Sequence, residues 1–154
     1  FTEDGGFSLV ATARRDDRRL LAIVTGASSE NLRAMEAQKL LNYGFQHYQT
    51  VLLYERGAHV AELPVWKGSA KKLSAGVDRD VFVSVPRGQA GLLKARLVSQ
   101  QPLLAPLSAR QRVGVLEVTF DGKPLGEYPV VALEGVGVAN VFVRLWDSLR
   151  LWFD

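Results

Sequence analysis

Cysteine is absent from the 154 residues, which excludes a disulfide framework, a thiolate zinc site and a cysteine nucleophile. Histidine is nearly absent: His47 and His59 are the only two, too few for a dedicated metal site, and no metal or cofactor is expected. No apolar run approaches the about 20 residues that a membrane-crossing helix needs. Charge of one sign is also scarce, with a net +3 at pH 7, so nothing argues for a nucleic-acid partner. The 14 Gly and 6 Pro follow no period, so there is no repeat array and no low-complexity tract. At 47% apolar and 23% charged residues the mixture is that of a globular chain, one domain or two small ones. The opening FTEDGGFSLVATA has no Met, no basic n-region and no apolar h-region, so no targeting signal is expected. We read the chain as the C-terminal portion of something longer.

What is present falls into three stretches. Phe7–Ala13 and Leu20–Thr25 are short strand-like runs, joined by the polar segment Arg14–Arg19 with Asp at its turn. An antiparallel hairpin is the simplest arrangement. Gly26-Ala27-Ser28-Ser29-Glu30 then reads as a breaker, N-cap residues and an early acid, the start of a helix. Leu32, Ala37, Leu40, Leu41, Phe45 and Tyr48 give it one apolar face. After Gln49 the pattern turns to β: VLLY, HVAELPVW, DVFVSVP, LKARLV, VGVLEVTF and EYPVVAL. Turn signals at Arg56-Gly57, Pro86-Arg87-Gly88 and Asp121-Gly122 separate them, which predicts a small antiparallel β domain. Its 11 basic and 8 acidic side chains carry the whole net charge. From Asn140 the period is helical again. Phe142, Leu145, Trp146, Leu149, Trp152 and Phe153 line one stripe and Arg144, Asp147, Ser148 and Asp154 the opposite side. Such a helix suits a membrane surface; the competing reading packs the stripe on the β domain or on a second copy's helix. The Gly135-Val136-Gly137 link is expected to let it swing.

Two local patterns invite chemistry. Val24-Thr25-Gly26-Ala27-Ser28-Ser29 looks like the start of a short-chain dehydrogenase phosphate loop, but Glu30, Asn31 and Leu32 stand where glycines are needed, so a helix cap is expected instead. Ser69-Ala70-Lys71-Lys72 has the nucleophile–base spacing of penicillin-interacting serine enzymes. Its flanks Lys67-Gly68 and Leu73-Ser74 read as a polar turn between strands rather than a buried helix. His47 and His59 have no second ligand at metal spacing and read as packing or surface residues. Arg14–Arg19 alternates with its own acids and reads as a solvated turn.

The longer stretches FTEDGGFSLVATARRD, KLLNYGFQHYQT, VWKG, GVDRDVFVSVPRGQ, LKARL and PLLAPLSARQRVGVLEVTFDGKPLGEYPVVALE, with the aromatic tail, closely resemble D-alanyl-D-alanine carboxypeptidases of the penicillin-binding protein 5 type. The resemblance runs over essentially all of the chain. It implies an α+β architecture in three parts. Residues 1–48 would be the terminal β-hairpin and helix of a transpeptidase-like (serine β-lactamase-like) domain, 49–136 a small antiparallel all-β domain, and 137–154 a C-terminal amphipathic helix.

The same resemblance implies a periplasmic hydrolase of peptidoglycan biosynthesis and cell shape, peripheral on the bacterial inner membrane. It would trim the terminal D-Ala from stem pentapeptides through an acyl-enzyme and be open to β-lactams. The family's Ser-x-x-Lys, Ser-x-Asn and Lys-Thr-Gly motifs would lie ahead of Phe1, in a catalytic portion that is this chain's implied partner. The chain alone would then have no activated nucleophile. By resemblance, the Phe1 backbone N–H is an oxyanion-hole donor, Thr2 lines the same pocket, and Arg33 sits near the substrate's terminal carboxylate. Arg33 reads equally as a surface residue beside Glu30 and Glu36. The alternative function is a non-catalytic β-domain spacer or interaction module that positions a cell-wall enzyme at the membrane.

Overall fold

The computed structural model describes residues 5–140. Among these the chain forms two compact units. One takes the chain up to Val51 together with Ser84–Gly91; the other takes Leu52–Val83 and everything from Leu92 on.

The first unit starts with an antiparallel hairpin of β1 (Phe7–Arg15) and β2 (Arg18–Ala27). The expected connection Arg14–Arg19 is much shorter than the sequence suggests. Arg15 pairs with Arg18, so only Asp16 and Asp17 turn, and the four arginines belong to the strands. Asp16 takes φ 53°, a left-handed conformation that Asp tolerates better than most residues. Helix α1 (Glu30–His47) follows, and the Ser29 hydroxyl caps it by accepting from the Leu32 N–H at 3.2 Å. The Gly26–Ser29 segment is thus a helix cap and not a phosphate loop.

One hairpin face packs on α1, burying Ala22 and Ala27 against a stripe that includes Ala37 and Phe45. Gly44 makes the close approach possible, since a Cβ there would lie 2.7 Å from the Leu20 side chain. The expected apolar face is only partly realised. Leu40 is 49% exposed, and Tyr48 leaves the helix to begin the next strand. Two strands about 4.8 Å apart cover only a narrow stripe of a helix, so Leu40 falls outside it. The other hairpin face is open: Val10, Leu21 and Ile23 are each 60% exposed or more.

The second unit is built on a six-stranded sheet. Its strands are β4 (His59–Trp66), β5 (Lys72–Val77), β7 (Leu93–Ser99), β8 (Leu103–Leu104), β9 (Arg112–Phe120) and β10 (Lys123–Ala132), in the order β7-β9-β10-β5-β4-β8. All neighbours are antiparallel except β4 and β8. A separate ribbon pairs β3 (Tyr48–Tyr54) with β6 (Val81–Pro86), and the division between the units falls within these two strands.

Period-two alternation places Leu63 and Val65, Leu73, Ala75 and Val77, and Leu116 and Val118 inside. In β9 the alternation slips: Gly114 pairs with Val130 and Arg112 with Val131, leaving Val113 as the extra residue of a bulge. Consecutive Val113 and Gly114 are therefore both buried. The Asp121-Gly122 turn has φ of 48° and 75°, the pair of positive values that a two-residue hairpin loop requires.

Strands β5 and β8 were not expected from sequence, and the polar turn assigned to Lys67–Ser74 ends at Lys71. β5 is a central strand whose neighbours come too close for any side chain at Gly76. A Cβ at Gly76 would stand 2.3 Å from the Ala58 carbonyl and 2.9 Å from Leu133. The Gly135-Val136-Gly137 link is also not a free pivot. Val136 is buried and exchanges both backbone hydrogen bonds with Leu107, the Ser69 N–H donates to the Gly137 carbonyl, and the Ala139 N–H donates to the Lys67 carbonyl. Residues 137–140 are extended, and no helix begins among them.

Gly76→Ala is expected to destabilise the second unit by about 1–3 kcal/mol, the scale of core overpacking. Gly91→Ala, where nothing lies within 4 Å, should leave stability within about 0.5 kcal/mol. Leu116→Ala, at a side chain 1% exposed, should cost about 2–5 kcal/mol. Denaturant midpoints of the three variants check all of this.

Candidate functional site

Of the substrate residues implied by resemblance, the structure describes Arg33. Phe1 and Thr2 lie outside the described residues, as do Phe142, Leu145, Trp146, Leu149, Trp152 and Phe153 of the tail stripe. Arg33 stands in the first turn of α1, where its Nη2 meets Glu30 Oε1 at 2.5 Å and its Nη1 donates to the Ser8 carbonyl at 3.1 Å. Its guanidinium carbon lies 5.8 Å from the centre of the Phe7 ring. These contacts tie α1 to β1, and Arg33 has a structural task whatever else it binds. Glu36, the other acid considered for it, pairs instead with Lys39 at 2.7 Å.

The Ser-x-x-Lys spacing carries no nucleophile. Ser69 sits in an exposed bend and Lys72 begins β5, so the helical stacking that the chemistry requires is missing. Lys72 is engaged elsewhere, donating to Glu62 Oε2 at 2.6 Å. That hydrogen bond, with the Lys72 charge behind it, holds the Glu62 carboxyl below its ordinary pKa; the reciprocal bond and charge raise Lys72 above its own. Both groups are solvent-exposed, so this is a surface ion pair. His59 lies exposed in β4, and among the described residues no cluster of three or more His, Asp or Glu could hold a metal ion.

Among the described residues each unit has an open cleft. A cleft of about 410 Å3 runs beside the β9–β10 turn, between Glu117, Thr119, Leu125 and Glu127. Arg96 reaches Glu117 at 2.8 Å and occupies part of its charge.

The second cleft, of about 500 Å3, opens at the C-terminal end of α1, and Tyr43, Gln46, His47, Tyr48, Arg87 and Gln89 line it. Arg87 is locked there. Its Nε donates to the Gln46 carbonyl at 3.1 Å, its Nη2 to the Phe45 carbonyl at 3.0 Å and its backbone N–H to the His47 carbonyl at 2.8 Å. Arg18 donates to the Gly44 and Tyr48 carbonyls. Two guanidinium groups thus satisfy the carbonyls that a helix end leaves unpaired, at the negative end of its dipole. Sequence reading took Pro86-Arg87-Gly88 as a turn and His47 as a packing or surface residue. The signal available was three rings at positions 43, 47 and 48; the partner turn could not be placed without the fold.

The described residues thus form a hairpin–helix unit and a mostly antiparallel β unit, with no buried ionisable side chain among them. The family model for the penicillin-binding protein 5 C-terminal domain matches residues 48–137, and the chain belongs to that family. The D-alanyl-D-alanine carboxypeptidase DacA of Escherichia coli (strain K12) is 37% identical over 153 residues, 99% of this chain and 38% of that protein. DacF of Bacillus subtilis (strain 168), also a D-alanyl-D-alanine carboxypeptidase, is 28% identical over 99% of this chain and 39% of its own length. The crystal structure of penicillin binding protein 5 from Haemophilus influenzae is similar at TM-score 0.80 and 30% identity, over 88% of this chain and 40% of that one. The chain spans well under half the length of these relatives.

The Glu62 carboxyl should titrate below the ordinary glutamate range and return to it in Lys72→Met, as followed by carboxyl NMR. Its contribution to stability is present above the unfolded-state carboxylate pKa and is lost as pH falls through the depressed folded value. The Lys72 contribution is lost in the other direction, as pH rises through its raised folded value.

Proposed function

We propose that this chain is the C-terminal portion of a serine-type D-alanyl-D-alanine carboxypeptidase. The parent removes the terminal D-Ala from peptidoglycan stem pentapeptides on the periplasmic face of the inner membrane and so takes part in setting cell shape. The observation that carries this reading is likeness along the whole chain. The 37% identity to the Escherichia coli carboxypeptidase extends over 153 residues, well beyond the matched β domain and through the hairpin and α1. The open face of β1 and β2 supports it too. Val10, Leu21 and Ile23 are apolar and exposed, as the terminal hairpin of a larger transpeptidase-like domain would be when seen alone.

In this reading the nucleophilic serine belongs to the part of the parent that precedes Phe1. The serine oxygen attacks the carbonyl of the D-Ala–D-Ala bond, free D-Ala leaves, and water hydrolyses the acyl-enzyme. The Phe1 N–H donates to the oxyanion, Thr2 lines the pocket, and Arg33 offers positive charge to the terminal carboxylate. A β-lactam enters as an acylating mimic of the same peptide.

The alternative, a non-catalytic spacer or interaction module, has its own support in the dry second unit, which contributes no buried ionisable group among the described residues. The two readings separate on activity. The parent protein should release D-Ala from a D-Ala-D-Ala peptide and bind fluorescent penicillin covalently. The 154-residue chain should do neither. Labelling at Ser69 would overturn the division of labour, and a parent without D-Ala release would overturn the enzyme.

The tail stripe completes the proposal as a membrane-surface helix with no net charge, so apolar burial carries its attachment. Among the described residues no helix is long and apolar enough to cross a membrane. Co-sedimentation with neutral liposomes should retain the full chain and lose at least tenfold when residues 141–154 are removed. That truncation spares the hydrogen bonds of Gly137 and Ala139 to the β unit. Unchanged lipid binding would show that the helix is not the anchor.

A further inference from the structure

The cleft at the end of α1 has no task in the scheme above. Its aromatic wall is crowded and wet. The Tyr43 and His47 rings lie 4.5 Å apart at 41°, and Tyr43 meets Tyr48 at 6.1 Å and 61°. Yet Tyr43 is 54% and Tyr48 39% exposed. The opposite wall is rigid because Arg87 is pinned to three successive carbonyls of the helix end. Gln46 and Gln89 bring side-chain amides to the same space, each with two donors and an acceptor.

The electrostatics narrow the ligand. Arg87 spends its Nε and Nη2 donors on the α1 carbonyls, so its side-on fork is not free to clasp an anion bidentately. An apolar ligand would leave the amides and the tyrosine hydroxyls without partners. A neutral, polyhydroxylated ring is the remaining class. Its axial C–H faces lie against aromatic π-faces, which are electron-rich, and its hydroxyl and acetamido groups exchange hydrogen bonds with amides. A cleft of about 500 Å3 is within the usual range for small-ligand sites.

We propose that Tyr43, Tyr48, Gln46 and Gln89 form a subsite for an N-acetylated sugar of a glycan strand, apart from any peptide-cleaving centre. The sugar class rests on the proposed cell-wall substrate; the cleft itself does not. Such a subsite would hold the enzyme on the glycan while stem peptides are trimmed elsewhere.

The test is an NMR titration of the isotope-labelled full chain with an oligomer of N-acetylglucosamine carrying no stem peptide. Saturable shifts confined to Tyr43, His47, Tyr48 and Gln89 are expected, with Kd on the order of 1 mM for a shallow site. Tyr43→Ala should weaken binding at least tenfold and Gln89→Ala threefold or more. Phe82→Ala, which removes an equally exposed ring in the other unit, should change nothing. Unperturbed amide spectra elsewhere show that each variant is folded, and Gln89→Ala serves if Tyr43→Ala is not. Absence of shifts at ten times that concentration overturns the proposal, as does undiminished binding by the folded variants. Shifts produced by a stem peptide but not by the sugar oligomer overturn it as well. D-Ala release by the parent from a sugar-free peptide is read separately and should survive Tyr43→Ala, so failure of the enzyme reading and failure of the subsite are distinguishable.

Discussion

Burial of the apolar side chains that alternate along a backbone hydrogen-bond ladder holds the second unit together, with no ionic or polar pairing inside it. Leu73, Leu116, Val113, Val118 and Val130 are 0–1% exposed, and among the described residues no charged or polar side chain is buried. Each such burial contributes about 1.5–3 kcal/mol. The constraint extends to chemistry. Acid–base and nucleophilic groups are tuned by desolvation and by close charges, and a dry core with ionisable groups only at its surface tunes nothing strongly. The Glu62–Lys72 pair is solvated on both sides, and each group shifts mainly through its hydrogen bond to the other. The tuning that acid–base or nucleophilic chemistry requires is therefore not found among the described side chains of this unit.

Much of this was legible in the sequence because local rules and the fold agree. The Ser29 cap, the Asp121-Gly122 turn and the alternating VGVLEVTF run each do what their local chemistry dictates. The β5 strand escaped because KLSAGV is small rather than branched. Gly76 in particular answers to how near the Ala58 carbonyl and Leu133 come, a constraint that exists only after the chain has folded. The two-residue β8 owes its place to a parallel pairing with β4, which no local signal announces. Leu40 misled for a related reason: periodicity marks a face but not how wide a neighbour will cover it.

The candidate site shows the same limit more sharply. Arg33 was found through resemblance, and the structure adds that Glu30 and the Ser8 carbonyl already hold it. The cleft at the end of α1 was not found at all, since Arg87 reaches the Phe45 carbonyl across 42 positions of sequence. Arginine there looks like a turn residue until the helix end it serves is in view.

The strap at residues 136–139 changes what a tail can do. A glycine-flanked link suggests free swinging, yet Val136 pairs with Leu107, the Gly137 carbonyl accepts from Ser69, and Ala139 donates to Lys67. Net contributions of about 0.5–1.5 kcal/mol per hydrogen bond, added to the burial of Val136, make release of this segment costly compared with thermal energy. Residues 136–139 are therefore held at a fixed place on the β unit, beside the Lys67–Lys71 bend. A membrane-seated tail attached there would fix which end of the β unit faces the surface. A pinned strap, and not a flexible hinge, is what this glycine-flanked segment adds to the β unit.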